Sequence, residues 1–489
     1  MKSRFMSFIT LLAALAIMLG GCTSSVKSPT AVASPQSATT ANDVSSAEQQ
    51  TVDDAQQATE SMDLKRPRYE MSIVLDTQKN IISGQVTIYF KNSYDETMKE
   101  ICLQLYQNTD KHLTDIQKVM LDENEVSFKY DANTAIITPI KPIAPWKKVK
   151  LDVFFSSKIT ARGDKLGDYS HGNGIYALSR FYPALAVYRD GQWITTPYYY
   201  NGDPYISDAS DFDVRISMPA DQKPVFGGHI LSNTVEGKNR LVHVTASPAR
   251  TFCFSTSANY KTVSKKVGNI TITAAYANGS ASIARSMLGY AEQALSIFQQ
   301  RFGQYPYDYL VLAEAPLRSG GMEYSGIALY APAVFQGRDV EREVVHEIAH
   351  QWWFNMVGND EFREPWLDEG ITRYSEVIYY EARYGAQRKN QALAKIKQRL
   401  KTTDDAILDT PVWYFSKSQY YILVYDKGAL FHDALRKLMG DDLYFSLLHQ
   451  YLEEYKWGIA TTEDFQKLAC EIYGNDEAIN KLCDQWLYH

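Results

Sequence analysis

The chain has 489 residues, 45% of them hydrophobic and 22% charged, with a formal net charge of −7. That is ordinary globular composition, long enough for two to four domains. It has no basic block or stripe, which argues against a nucleic-acid partner.

The chain opens on an address. Lys2 and Arg4 precede an apolar run from Phe8 to Leu19, broken only by Thr10. Such a run is short for a membrane span and reads as a signal peptide. It ends in Leu19-Gly20-Gly21-Cys22, which resembles a bacterial lipobox. The expectation is that residues 1–21 are removed and that Cys22 carries a lipid, holding the chain on a bacterial membrane with its bulk facing outward. Residues 22–66 are rich in Ser, Thr, Ala, Gln and Asp with almost no large apolar side chain, which predicts a disordered tether.

From Tyr69 the pattern changes to period two. Ile82 to Phe90 is strand-like; Val149, Leu151 and Val153 alternate, as do Phe212, Val214, Ile216 and Met218. Turn residues such as Gly202-Asp203-Pro204 separate such runs. Residues 67–255 therefore read as an antiparallel β domain, and 34 Tyr, 20 Phe and 8 Trp suit large β-rich cores. The second half, residues 256–489, reads as mainly helical. Ile283, Met287, Ala291, Leu295 and Phe298 recur at helical spacing, Tyr309 to Leu312 suits a strand, and helical stretches dominate from Val340 onward. No two cysteines are spaced Cys-x-x-Cys, which argues against a cysteine-built zinc site. Cys470 and Cys483 are near enough in sequence to pair in an oxidising compartment, or to stay as buried thiols.

The chemistry concentrates in His346-Glu347-Ile348-Ala349-His350. Histidines four apart on a helix share a face about one turn apart, so both imidazoles can bind one zinc ion. Glu347 is beside them, within reach of a water on that ion. Val344, Val345, Ile348 and Ala349 suggest a buried helix, where polar groups need partners. A catalytic zinc takes three protein ligands and keeps one position open. Glu369, in Trp366-Leu367-Asp368-Glu369-Gly370, is the candidate third ligand.

His346-Glu347-x-x-His350, with Glu369 after eighteen further residues, resembles the gluzincin aminopeptidases, the family of aminopeptidase N and leukotriene hydrolase. Gly320-Gly321-Met322-Glu323-Tyr324 is similar to that family's exopeptidase motif, and Tyr425-Asp426-Lys427-Gly428-Ala429 to the segment carrying its catalytic tyrosine. The resemblance implies an α+β multidomain fold: a saddle-shaped β domain over 67–255, then a thermolysin-like catalytic domain over 256–489. It implies that His346, His350 and Glu369 hold one zinc, that Glu347 is the general base, and that Tyr425 stabilises the reacting carbonyl oxygen. It also implies that Glu323 grips the free amino terminus of a peptide, with Gly320, Gly321 and Met322 along the peptide path. Tyr324 departs from the family's usual Asn, which puts exopeptidase action in question. Many members add a small β domain and a helical C-terminal domain. This sequence ends at His489, so the expectation is a chain without them and a more open cleft. An aminopeptidase is the expected function. The alternatives are an open-cleft endopeptidase and a lipid-anchored peptide-binding protein with a non-catalytic zinc.

Overall fold

The structure is a computed structural model and describes residues 57, 59–109, 111–161, 166–202 and 205–489. The expectations for residues 1–21, for Cys22, for most of the tether and for part of the 202–204 turn lie outside the described residues. Among the described residues, no helix is long and apolar enough to cross a membrane.

The first half is built on an eight-stranded sheet. Its inner strands run in the order Asn239–Ala249, Ser210–Pro219, Arg68–Asp76, Ile81–Lys91, Lys148–Lys158 and Thr114–Leu121. Period-two burial makes this sheet: Ser210–Pro219 buries every second side chain. Met71 faces Val86 on one neighbour and Val214 on the other. Ile73, Ile88, Val153, Phe155 and Ile216 belong to the same buried core. The sheet is antiparallel apart from one pair, because Arg68–Asp76 and Ser210–Pro219 run parallel. Alternation along a strand cannot report the direction of a neighbour more than a hundred residues away, so the sequence carried no sign of that pair.

A second, five-stranded sheet has the order Lys261–Val267, Ile270–Tyr276, Tyr309–Glu314, Ile327–Tyr330 and Gly321–Tyr324. The last of these is an edge strand, antiparallel to its neighbour. Helix α1 (Ala281–Arg301) is capped by Ser280, whose side chain accepts from the backbone of Ser282 and Ile283. It buries Met287, Ala291, Leu295 and Phe298 as the spacing predicts, while Ile283 is only partly buried.

The remaining helices share one large core. They include α2 (Val340–Ala349), α3 (Trp366–Tyr384), α4 (Ala386–Leu400), α5 (Gly428–Met439), α6 (Asp441–Tyr455), α7 (Thr462–Tyr473) and α8 (Asp476–Trp486). A one-and-a-half-turn π-helix, Tyr421–Lys427, leads directly into α5. Cys470 and Cys483 are both free thiols.

Candidate active site

Helix α2 is fixed by burial. Val344, Val345, Ile348 and Ala349 are fully buried. Packing that face inward turns His346 and His350 together toward α3, with His350 at the helix C-cap. Glu369 lies in the first turn of α3. Its Oε2 is 3.3 Å from His346 Nε2 and 3.4 Å from His350 Nε2, and the two nitrogens are 3.3 Å apart. Tetrahedral zinc with bonds of roughly 2.0–2.2 Å sets ligand separations of about 3.3–3.6 Å, so the triangle is already of the right size.

The outer ring nitrogens are committed. His346 Nδ1 donates to Glu376 Oε1 at 2.9 Å, and His350 Nδ1 donates to the Trp353 carbonyl at 2.9 Å. Both acceptors select the tautomer that leaves Nε2 a lone pair for a metal. Glu369 Oε2 is buried and has no hydrogen-bond donor of its own. A buried carboxylate oxygen with two imidazole lone pairs beside it is a donor set that fits one zinc ion, without a thiolate. The two carboxylates make the place favourable to positive charge: burial pulls the His346 pKa down, but Glu369 and Glu376 outweigh it and hold it up at about 9. Burial likewise raises the Glu369 carboxyl, and the two histidines overcome that and bring it to about 2.

Glu347 and Glu323 complete a second cluster. One oxygen of each and a ring nitrogen of His350 all lie within 4.8 Å of one another, and all three residues are buried. Burial pushes the Glu347 carboxyl well above the usual range, and Glu323 adds to it; Glu323 is pushed up for the same first reason. A cation at the three ligands would favour the ionised form. Glu323 comes from the edge strand Gly321–Tyr324, which lies against α2. A Cβ at Gly321 would sit 2.4 Å from Glu347 Cγ, so only glycine lets the strand approach so closely. Gly320 turns into the strand at φ 66°. The Met322 side chain is buried in a small core with Leu329 and Ala315, which leaves its backbone on the strand edge. Tyr324, next along the strand, points to the opposite face, where its hydroxyl donates to Asp168 at 2.6 Å. The departure at residue 324 is therefore turned away from the Glu323 carboxylate.

Tyr425 sits in the π-helix, a form often found at functional sites. Its hydroxyl donates to Glu369 Oε1, and its ring stacks on His346 with centroids 5.8 Å apart. Asp426, the next residue, is fully buried and accepts from Arg373 at 3.1 Å; Arg373 also pairs with Glu376. This chain of contacts runs from the π-helix to the back of His346.

Sequence reasoning missed Glu376, Arg373 and the role of Arg250. Glu376 is seven residues after Glu369, the same face of one helix, and that spacing was a usable signal. Arg250 had none. It is buried and donates to the carbonyls of Phe354, Ser207 and Gly458 at 2.6, 2.6 and 2.8 Å, and so clamps the loop that follows His350.

Comparison with known proteins agrees with this geometry. Residues 287–486 match the model of the peptidase family M1 domain. The chain carries an M1 domain. It is similar to Aminopeptidase 2 of Candida albicans, 26% identical over 215 residues, covering 40% of this chain and 23% of that protein. Aminopeptidase B of Mus musculus is 27% identical over 233 residues, covering 41% and 34%. Leukotriene A-4 hydrolase of Xenopus laevis is 28% identical over 192 residues, covering 37% and 31%. The chain thus spans about a quarter to a third of these relatives' length. An M1 zinc metallopeptidase from Deinococcus radiodurans superposes with a TM-score of 0.68 at 20% identity, over 85% of this chain and 92% of that one. A mutant of the Deinococcus radiodurans enzyme, solved bound to a Tyr-ser-ala substrate, gives 0.69 at 19% identity, over 86% and 94%. The M1 domain therefore sits in a fold shared along nearly the whole length of that enzyme, β sheet part included.

Proposed function

We propose that this chain is a zinc-dependent aminopeptidase that removes residues from the amino end of peptides. One observation carries the reading: a triangle of zinc-sized spacing at His346, His350 and Glu369, with two further carboxylates, Glu347 and Glu323, beside it. When bound, the zinc supplies Lewis-acid chemistry at the scissile carbonyl. The side chains do the rest. Glu347 takes a proton from the attacking water and passes it to the leaving amine. Tyr425 donates a hydrogen bond to the carbonyl oxygen as charge grows on it. Glu323 receives the protonated amino terminus in a charge-assisted bond and so fixes the cut one residue from the end. The open edge of Gly321–Tyr324 offers backbone groups to an extended peptide, in the manner of an added strand. The likeness to a metallopeptidase solved with Tyr-ser-ala supports a peptide substrate.

The segment Leu19-Gly20-Gly21-Cys22 supports a further part of the reading, in which lipid on Cys22 holds the enzyme at the outer face of a bacterial membrane. The test of the activity compares one peptide with a free and with an acetylated amino terminus, products being read by mass. Stepwise loss of single residues from the free peptide alone is the expected result. Internal cuts in both peptides would favour an endopeptidase and remove Glu323 from its role.

A further inference from the structure

The eight-stranded sheet ends differently on its two sides. One edge is Asn124–Glu125, two residues long and ending in a charge. The other is His229–Glu236, eight residues long, with every side chain exposed. A long edge is normally blunted by lysine, proline or a cover, because its free N–H and C=O groups can pair with another strand. His229–Glu236 contains no lysine, arginine or proline. It exposes Ile230, Leu231 and Val235 at 49, 58 and 52%.

Its register against Asn239–Ala249 fixes which way each side chain points. Ile230 faces Val244 and Asn233 faces Val242, both core residues. Val235 faces Arg240, two places further along on the same side. His229, Ser232, Thr234 and Glu236 point to the other side of the sheet. The ladder shifts between Ile230 and Ser232, which makes Leu231 an extra, bulged residue. Without that bulge Ile230 and Val235, five apart, would point to opposite sides.

A two-fold axis perpendicular to the sheet brings a second copy to this edge and keeps each face on its own side. Paired residues must then point the same way. An axis through Asn233 satisfies this along the whole strand. Asn233 faces Asn233 of the second copy, and Ser232 faces Thr234. Past the bulge, Ile230 faces Val235 and His229 faces Glu236. The apolar pair and the imidazole–carboxylate pair each occur twice. Asp308, 2.9 Å from His229, and Lys238, in the turn beyond Glu236, fall at the same end and carry opposite charge.

We propose that His229–Glu236 is a homodimer interface, at which two copies join antiparallel, edge to edge, into one continuous sheet. The occupant is a second copy because the edge complements itself in apolar character, in charge and in the side to which each residue points. The contact is narrow beside the roughly 1,200–2,000 Å² of a standard interface, so a covalent trap reads it better than chromatography.

The test places Asn233→Cys in the full chain and treats it with a short bis-maleimide. Asn124→Cys, on the opposite edge, is the control, and the parent chain sets the background of the native thiols. Facing Cβ atoms across an antiparallel pair are about 4.5–5.5 Å apart, within reach of the reagent. Asn233→Cys is expected to give at least about tenfold more product of twice the chain mass than Asn124→Cys. Adding Ile230→Lys with Val235→Lys sets like charges face to face and is expected to lower that yield about tenfold. Adding Ile230→Lys with Val235→Glu instead is expected to restore it, with the thermal midpoint unchanged in both. Equal yields from Asn233→Cys and Asn124→Cys would overturn the interface. So would a yield that the two lysines leave unchanged, or one that the Lys–Glu pair fails to restore, since the register sets residue 230 against residue 235.

Discussion

Gly370 and Gly428 touch backbone to backbone: a Cβ at Gly428 would sit 2.8 Å from Gly370 Cα, and one at Gly370 would sit 3.0 Å from Gly428 Cα. Each glycine follows a residue or segment with a role in the site. Glu369 precedes the first, and the π-helix with Tyr425 ends at the second. The missing side chains let α3 and α5 cross closely enough for the Tyr425 hydroxyl to reach Glu369.

Gly428→Ala tests that contact with a sign opposite to helix propensity. Propensity alone favours alanine by about 1 kcal/mol. Forcing two backbones apart costs roughly 1–3 kcal/mol. The expected outcome is net destabilisation in chemical unfolding, with Tyr425 displaced from Glu369. A variant as stable as the parent would mean that the crossing is loose.

Glu376→Ala removes the acceptor that orients His346. Loss of such a partner lowers metal affinity by roughly 10–100-fold. Competition against a chelator of known zinc affinity measures this directly. Unchanged affinity would show that the ring is held by packing on Tyr425 instead.

Arg250→Met leaves the carbonyls of Phe354, Ser207 and Gly458 without their donor. Each unsatisfied buried acceptor costs roughly 1–3 kcal/mol, so a loss above about 3 kcal/mol is expected in urea unfolding. Solvent entry that satisfies those carbonyls would show as a loss below about 1 kcal/mol.

The pH dependence of stability has a marked contributor in His432. Burial lowers its pKa from 6.5 to about 3, among Trp366, Tyr374 and Phe465, with the Tyr444 hydroxyl 3.2 Å from Nδ1. A depressed pKa means that, as pH falls below 6.5, the unfolded chain takes a proton that the folded chain refuses until about pH 3. Stability falls across that window. Between pH 7 and pH 5 the loss from this group is about 2 kcal/mol. The variant His432→Gln should lose that much less than the wild type over the same range. Parallel stability curves would mean that His432 is solvated or already charged.

Much of the site was legible because its spacing is local. His346 and His350 share a helix face by sequence separation alone, and burial of Val344, Val345, Ile348 and Ala349 follows from their type. Glu369 was reachable from the need for a third ligand. Tyr425 was not, on physical grounds: nothing in Tyr421–Lys427 marks a π-helix, and neighbouring tyrosines look alike until a fold chooses one. Arg250 acts across a hundred residues on carbonyl oxygens, which have no signature in sequence. The parallel strand pair in the first sheet was hidden for the same reason.

The most direct test of the central claim loads the wild type and Glu347→Gln with zinc and measures bound metal and peptide turnover on the same samples. The account predicts one zinc per chain in both proteins, with single residues released from the amino end by the wild type and turnover lower by roughly 10²–10⁴-fold in the variant, the usual worth of a positioned base. Equal turnover by the two proteins would contradict it, as would a wild type that binds no zinc.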